Sequence, residues 1–500
     1  MRYTNSSVIA FVLALISLPA CSGARTAAPR KLPEIMEDRC AALATALAAG
    51  QKDGSQQPFQ LIASGPAGAA ALSEQQIAER LVAANPDAET WVIARGGSGK
   101  SRLAWGLEAL TCSRRMTFRV DVGLDLRAGL ELATPGRPAL ARVLLGQMGI
   151  KPGDDPASQL RDELDDAPWL LLLDGTDELT QSERRKLRAE LEWLQKGDFS
   201  QHVVRFERPG FVQGEQARPA DLVLQLPDLS CAEADAVVAR HFSDPAALTA
   251  ARAWLAAHKL DRKRPGESCR YVHMSTYRDA DTLGDLAQDA LDPTQAGSRL
   301  DDLPMDPVRS DLYAAWLAHR LRGIANTTEG AMSWLDRITA QGVVDKREPD
   351  LRLSMQRCEG VAAPGGGDAG PACRKLLQSQ AVRKGELSGT LALANRTLMD
   401  LLLARWLVKG QSDCALLASA TGEMASLEVA AMVAATPEGR RCLQPMVAAI
   451  CSRGIPSDDV IGFIDQAVPV GSRDEAFFAL NLERATGKCE RATLNGLRVR

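Results

Sequence analysis

The stretch Trp91-Val92-Ile93-Ala94-Arg95-Gly96-Gly97-Ser98-Gly99-Lys100-Ser101 decides the fold of this chain of 500 residues. An apolar strand leads into a glycine-rich turn, and a helix is predicted to begin after the turn. The glycines let successive backbone N–H groups approach an anion closely. Lys100 supplies a positive charge for the β- and γ-phosphates of a nucleotide, and Ser101 supplies a hydroxyl for Mg²⁺. The stretch predicts a nucleotide-binding loop that comprises Ala94, Arg95, Gly96, Gly97, Ser98, Gly99, Lys100 and Ser101.

Ala94 departs from the pattern G-x-x-x-x-G-K-[ST], which has glycine at that position. A methyl group is tolerated there when the φ angle of the residue is negative. The structural alternative is a glycine-rich turn that precedes a helix without binding any ligand. The nucleotide-binding hypothesis therefore needs support from a second part of the chain.

A second stretch gives that support: Pro168-Trp169-Leu170-Leu171-Leu172-Leu173-Asp174-Gly175-Thr176-Asp177-Glu178-Leu179. Its apolar part is typical of a central strand of a parallel sheet, and carboxylates at the carboxyl end of such a strand lie where open α/β sheets bind ligands. We expect Asp174 to hold Mg²⁺ through water. Asp177 or Glu178 would orient or deprotonate an attacking water. The alternative is a surface turn after a core strand.

Together the two stretches resemble the NACHT family of signal-transducing P-loop NTPases, in the STAND class, whose second motif has this Asp-Gly-x-Asp-Glu form. Three further segments are similar to the family's next strand, its helical-domain segment and its winged-helix segment, namely residues 203–209, 303–313 and 395–407. The resemblance implies that Arg208 senses the terminal phosphate. Arg205 is an alternative for this role, and a surface salt bridge is the alternative for either arginine. The family usually has a phosphate-contacting His at the position of Asn395.

The resemblance implies an α/β P-loop NTPase core, with a parallel sheet flanked by helices, followed by all-α helical, winged-helix-like and helical-repeat regions. The predicted domains are a lipoprotein signal peptide (1–21), a tether (22–72), the NACHT-like domain (73–243), a helical domain (244–345), a winged-helix-like region with a Gly-rich insert (346–411) and a helical sensor-like region (412–500).

The N-terminus predicts a membrane anchor. An apolar run from Val8 to Ala20 is too short to span a bilayer comfortably and is typical of a signal-peptide core. The end of this run, Leu18-Pro19-Ala20, together with Cys21 resembles the lipobox of bacterial lipoproteins, which implies a lipid on Cys21. An ordinary signal peptide or a chance apolar start are the alternatives. An uncleaved anchor with a cytoplasmic NTPase also stays open, because positive charges follow the run at Arg25, Arg30 and Lys31.

Composition limits the partners and the metals. A net charge of −4 and an aromatic content of 4% give no basic or base-stacking surface, so no direct nucleic-acid partner is predicted. The 5 histidines are scattered without ligand spacing, so Mg²⁺ is the only metal expected. Ten cysteines besides Cys21 suit an oxidising compartment without proving it. Cys358 and Cys373 bracket the Gly-rich insert, either as a disulfide or as buried thiols.

These features predict a membrane-anchored NACHT-type NTPase that binds ATP or ADP with Mg²⁺. It would switch between a closed, ADP-bound form and an open form that self-associates into a homo-oligomer, with slow hydrolysis as the reset. The ligand it senses is not indicated. One alternative is a degenerate, non-hydrolysing lipoprotein that serves as a binding or scaffold module. A housekeeping GTPase or kinase is disfavoured, because no Asn/Thr-Lys-x-Asp stretch for guanine is present.

Overall fold

The structure is a computed structural model of the whole chain. It describes residues 32–52, 59–65, 68–86, 88–126, 129–130, 138–164, 168–176, 179, 181–197, 199–208, 222–258, 276–291, 303–304, 307–321, 327–345, 348–363, 366–379, 381–384, 390–393, 396–409, 413–422, 427–453, 457–469, 472–485, 487 and 489.

The main sheet has seven strands in the spatial order β2-β1-β7-β3-β6-β5-β4. The strands are β1 (Gln60–Gly65), β2 (Gly68–Ser73), β3 (Glu89–Ile93), β4 (Met116–Asp121), β5 (Trp169–Asp174), β6 (Gln201–Glu207) and β7 (Leu222–Gln225). Strands β3 to β7 are parallel, whereas β1 pairs antiparallel with β2 and β7. Because β3 lies between β6 and β7, the turn that follows it lies in the middle of the carboxyl edge of the sheet.

Strand β5 shows why the sheet is covered on both faces. All six of its residues are buried. Leu171 and Leu173 join one apolar core, and Leu170 and Leu172 join the core on the opposite face. Burial of one such side chain contributes roughly 1.5–3 kcal/mol. The uninterrupted apolar run therefore specifies a central strand, as the sequence predicted.

Helices cover the two faces of the main sheet. They are α1 (Leu32–Lys52), α2 (Glu74–Ala83), α3 (Lys100–Thr111), α4 (Ala139–Gln147), α5 (Pro156–Leu164) and α6 (Gln181–Lys196). Helix α7 (Cys231–Ala239) packs instead with the helical region that follows the sheet. The spacings Ser73-x-x-Gln76 and Ser230-x-x-Glu233 predict capping boxes at the starts of α2 and α7, and the structure confirms both. Each serine hydroxyl accepts a hydrogen bond from the backbone N–H three residues on, and the side chain of that residue accepts one from the serine N–H.

Helices dominate the rest of the chain. They are α8 (Pro245–Ala257), α9 (Tyr277–Leu291), α10 (Arg309–Arg320), α11 (Thr328–Ile338), α12 (Met355–Glu359), α13 (Ala369–Gln378), α14 (Arg396–Val408), α15 (Cys414–Gly422), α16 (Leu427–Ala435), α17 (Pro437–Arg441), α18 (Leu443–Cys451), α19 (Ser457–Ala467) and α20 (Arg473–Ala485). The α/β core followed by helical regions is therefore as expected in outline.

Three local expectations are wrong. The parts of the predicted tether at 60–65 and 68–72 are antiparallel strands of the main sheet, and Leu61, Ala63 and Leu72 are buried in the core on one face of that sheet. The Val- and Leu-rich alternation over 116–126 predicts a strand of that length. The strand ends at Asp121, because a π-helical turn follows and the Asp125 carboxylate accepts the Asp121 N–H at 2.9 Å.

The third wrong expectation is the all-α character of the region after the core. A four-stranded antiparallel sheet in the order β10-β11-β9-β8 interrupts it. Its strands are β8 (Thr339–Asp345), β9 (Glu348–Ser354), β10 (Val382–Lys384) and β11 (Thr390–Leu393). The sequence signal is short: Leu351 and Leu353 alternate with polar residues, which has the period of a strand and not of a helix.

The nine cysteines in the described part of the chain are all disulfide-bonded. Four pairs are described in full: Cys40–Cys112, Cys358–Cys373, Cys414–Cys442 and Cys451–Cys489. Of the two alternatives for Cys358 and Cys373, the structure shows the disulfide. The predicted signal peptide and lipidation residue Cys21 lie outside the described residues. Within the described ranges, no helix is both long and apolar enough to cross a membrane.

Candidate functional site

The glycine-rich turn begins where β3 ends. The Ala94 N–H donates to the Glu207 carbonyl at 3.0 Å, which continues the pairing with β6, and the Ala94 methyl group is buried without displacing the turn. Gly99, with a φ of 96°, is the last residue before helix α3. A Cβ there would lie 2.6 Å from the Phe59 ring. The turn therefore tolerates alanine at 94 but requires glycine at 99.

Lys100 extends over this turn. Its ammonium donates to the Ala94 carbonyl at 2.9 Å and to the Arg95 carbonyl at 3.2 Å. The Ser98 hydroxyl also donates to the Arg95 carbonyl, at 2.8 Å. Carbonyl oxygens of the turn thus hold the lysine charge in place at the turn, where it favours a bound anion. The Arg95 guanidinium itself lies 3.4 Å from the Asp228 carboxylate, outside this arrangement.

Asp174 and Ser101 meet at the carboxyl edge of the sheet. Burial raises the pKa of Asp174 to about 6, although a hydrogen bond with the Ser101 hydroxyl acts in the opposite direction. The charge of Asp121, which pairs with Asp174 across β4 and β5, raises the pKa further. Carboxylate and hydroxyl oxygens are ligands that Mg²⁺ prefers. A divalent cation would also relieve the repulsion between the carboxylates of Asp174 and Asp121. Asp174 and Ser101 therefore fit Mg²⁺.

Arg208 follows β6, and its guanidinium lies close to the turn. A Cβ on Gly96 would lie 2.9 Å from the Arg208 guanidinium carbon. The guanidinium donates to the Asp400 carboxylate at 2.7 Å and also to the Glu428 carboxylate. These partners come from α14 and α16, so Arg208 joins the sheet to the C-terminal helices. Arg205 instead pairs with Glu207 on its own strand, at 2.9 Å.

Glu428 is a site residue that sequence reasoning missed. The Gly96 N–H donates to its carboxylate at 2.6 Å. Burial alone would raise the pKa of Glu428. The charges of Arg208, Arg309 and Lys100 and the Gly96 N–H outweigh burial and hold this pKa below its usual value. The glycine-rich turn therefore binds a carboxylate, and this carboxylate belongs to a helix near the other end of the chain.

Arg309 is the second residue that was missed. From the start of α10, its guanidinium donates to the Gly96 carbonyl at 3.2 Å and to the Asp279 carboxylate at 2.8 Å. The Tyr313 hydroxyl donates to the same Asp279 oxygen at 3.0 Å. One sequence signal could have indicated it, because a cation in the first turn of a helix opposes the helix dipole and needs a compensating partner. Arg309 is buried, and Asp279 and Glu428 provide that compensation.

Three predicted site residues, Asp177, Glu178 and Asn395, lie outside the described residues. Their roles stay predictions. The others for which the structure gives a position come together at one edge of the main sheet: the turn from Ala94 to Ser101, Asp174 and Arg208. What the geometry defines is an α/β protein with an anion-binding turn at the carboxyl edge of a mostly parallel sheet.

No protein-family model and no curated protein matches this chain. One solved structure that it is similar to is described as the structure of Drosophila ORC bound to DNA. The sequence identity is 15%, the match covers 63% of this chain and 90% of that chain, and the TM-score is 0.28. A TM-score this low does not define a shared fold.

Proposed function

We propose that this protein is a membrane-anchored NACHT-type NTPase that binds ATP with Mg²⁺ and acts as a switch. The observation that carries the proposal is the placement of Lys100 over the glycine-rich turn, with the Ser101 hydroxyl close to the Asp174 carboxylate beside it. A phosphate-binding turn, a lysine charge and a pair of oxygen ligands for Mg²⁺ are the parts that a P-loop nucleotide site needs.

Each group has a role in this proposal. The backbone of residues 94–101 holds the phosphates, Lys100 neutralises them, and Ser101 and Asp174 hold Mg²⁺. Arg208 senses the terminal phosphate. Asp177 or Glu178 positions the water for slow hydrolysis, as the family resemblance implies. Asn395 takes the place of the family's phosphate-contacting His, so its contact with the nucleotide is weakened or changed.

The ion pairs of Arg208 with Asp400 and Glu428 support the proposed switch. A ligand shifts a conformational equilibrium only by binding one form better than the other. In this structure Arg208 pairs with carboxylates of α14 and α16, so a γ-phosphate that draws Arg208 away weakens the contact between the core and these helices. We assign this closed arrangement to the ADP-bound or empty state. The open, ATP-bound state would expose surface for self-association, and a lipid on Cys21 would keep it at the membrane.

The disulfides favour a second candidate function. Nine bonded cysteines are typical of an oxidising compartment, where ATP is scarce. A chain exported to such a compartment would serve as a non-hydrolysing lipoprotein whose NTPase-like fold is a binding or scaffold module. The two candidates differ in one observable, because only the first hydrolyses ATP.

The deciding experiment is nucleotide binding by Lys100→Ala, measured with a fluorescent ATP analogue and Mg²⁺. The loss of charge-assisted hydrogen bonds to the phosphates lowers affinity about 100-fold. Lys375→Ala, at an exposed position on α13, is the matched control and leaves affinity unchanged. Equal affinity of the wild type and Lys100→Ala would overturn the site, and binding without hydrolysis would support the second candidate.

A further inference from the structure

We propose that the Glu428 carboxylate occupies the position of the nucleotide's terminal phosphate, so that helix α16 is a displaceable cover of the site. The inference rests on the proposed function, since it assigns an internal competitor to the same nucleotide site. Nothing in the local sequence around Glu428 indicates this role. It follows from the contacts that the folded chain makes.

The first observation is the set of groups around the carboxylate. The Gly96 N–H donates to Glu428, the Arg208 guanidinium donates to it, and the Arg309 guanidinium lies 3.7 Å away. Lys100 contributes a further favourable charge. Backbone N–H groups of a glycine-rich turn, arginines and a lysine are also the groups that hold a phosphate. Glu428 therefore uses the donors that a terminal phosphate would need.

The second observation is the charge balance. Three buried cations, Lys100, Arg208 and Arg309, lie among four buried carboxylates: Asp174, Asp279, Asp400 and Glu428. A terminal phosphate adds about two negative charges. Mg²⁺ at Ser101 and Asp174 would compensate part of this charge, but Glu428 and the phosphate would still be two anions on the same Gly96 N–H and Arg208 guanidinium, away from water. Phosphate and Glu428 therefore exclude each other.

The third observation is the position of Glu428 on its helix. It is the second residue of α16, and every residue from Glu428 to Ala435 is buried. Neighbouring helices α14 and α19 supply part of the apolar core around this segment. Because this whole segment is buried, we expect a carboxylate that leaves the Gly96 N–H to move together with the N-terminal turn of the helix, which loosens the contact of α16 with the core. Occupancy of the phosphate position is thereby linked to the packing of the C-terminal helices.

The linkage is reciprocal. If nucleotide weakens the contact of α16 with the site, then any partner that draws α16 away must raise nucleotide affinity by the same factor. The C-terminal helices would pass the signal of a bound partner to the nucleotide site through Glu428.

The test compares Glu428→Gln with Asp400→Asn, with a fluorescent ATP analogue and Mg²⁺ as the probe. The first substitution keeps the shape of the side chain but removes its charge. Asp400→Asn removes one negative charge from beside Arg208, while the Glu428 carboxylate keeps its hydrogen bond from the Gly96 N–H. We expect Glu428→Gln to bind the analogue at least tenfold more tightly than the wild type. Asp400→Asn should gain about twofold, since it leaves the competitor in place.

A measurement on the wild type keeps the test independent of variant folding. Saturation with Mg²⁺ and ATP should speed hydrogen exchange of the amides in Leu427–Ala435. If nucleotide binds but the hydrogen exchange of these amides is unchanged, the inference is overturned and the proposed function stays intact. The same holds if the two variants gain affinity for the analogue equally. If neither the wild type nor Glu428→Gln binds nucleotide at millimolar concentration, the proposed function fails, and the inference fails with it.

Discussion

The folded chain disfavours the charged form of the Asp174 carboxyl group. Burial raises its pKa from 3.8 to about 6, against the hydrogen bond with Ser101. A raised pKa means that the folded form binds the proton more tightly than the unfolded form. The stability of the nucleotide-free protein therefore falls as the pH rises from about 4 to about 6, and the full cost, on the order of 3 kcal/mol, is present above pH 6.

Replacing Asp174 tests this assignment. Asp174→Asn should raise the free energy of unfolding of the nucleotide-free protein by up to about 3 kcal/mol at pH 8 and by little at pH 4. The same variant should lose the extra stability that Mg²⁺ and ATP give the wild type, because the metal ligand is absent. Denaturant unfolding at the two pH values, with and without Mg²⁺ and ATP, measures both effects. An equal effect at pH 8 and pH 4 would contradict the raised pKa.

For single residues of the site, the sequence predicts the contacts between groups that lie close together along the chain or at the ends of paired strands. Lys100 and Ser101 follow the glycines directly, and Asp174 and Arg208 each lie at the end of a strand, so parallel pairing alone brings them to one edge. Glu428 and Arg309 contact Gly96 from 332 and 213 residues away. Their partners depend on how the helical region folds back on the sheet, and no local pattern encodes that.

The turn and helix α3 depend on the left-handed conformation of Gly99. Gly99→Ala should lower the free energy of unfolding by about 2 kcal/mol or more and weaken nucleotide binding, because alanine is strained at a φ of 96° and its methyl group meets Phe59. Gly146→Ala is the matched control. Gly146 lies in α4 with open space around it, so that variant should be slightly more stable than the wild type. Chemical denaturation and analogue binding of the two variants test this, and similar effects of both would contradict it.

His241 joins the end of α7 to α9. Its ring nitrogens lie 3.1 Å from Asp281 and 3.4 Å from Asp285. Burial lowers the pKa of His241, but the two carboxylates outweigh burial and raise it to about 9. The raised pKa means that the protonated ring stabilises the fold fully below about pH 6.5. That stabilisation is lost as the pH rises through about 9.

The variant His241→Asn should therefore be less stable than the wild type by on the order of 2–3 kcal/mol at pH 6, and by much less at pH 10. Unfolding of both proteins at the two pH values gives the difference, and a titration of the His241 ring by NMR gives the pKa directly. A ring that titrates near its ordinary value of about 6.5 would contradict the ion pairs.

Elements with a strong local signal were predicted well. The apolar runs of β3 and β5 and the capping boxes at Ser73 and Ser230 specify their structures within a few residues. The hairpin of β1 and β2 was missed because a strand at Gln60–Gly65 is stabilised mainly by its pairing with β7, more than 150 residues further along the chain. The sheet of β8 to β11 was missed for a similar reason, since its strands are short and depend on one another.

For the whole molecule, the disulfides indicate the cellular compartment, which the net charge does not. The described pairs join residues 15 to 72 positions apart, and one of them fastens α1 to the end of α3. Closure of a 15-residue loop alone is worth about 3 kcal/mol in the chain-entropy model. Such bonds form and persist outside the reducing cytoplasm. They favour export with a lipid on Cys21 over an uncleaved anchor that leaves the chain in the cytoplasm.

Export of the chain is tested in intact cells. Thiol alkylation of intact cells should leave the cysteines of the chain unmodified until a reductant is added, and protease should digest the chain in spheroplasts whose inner membrane is intact. Cys21→Ser should release the chain from the membrane while its disulfides stay. Free thiols together with protease protection would instead place the site with cytoplasmic ATP. In the exported case little nucleotide competes with Glu428, so the covered form would predominate, and a binding or scaffold function would rest on that form.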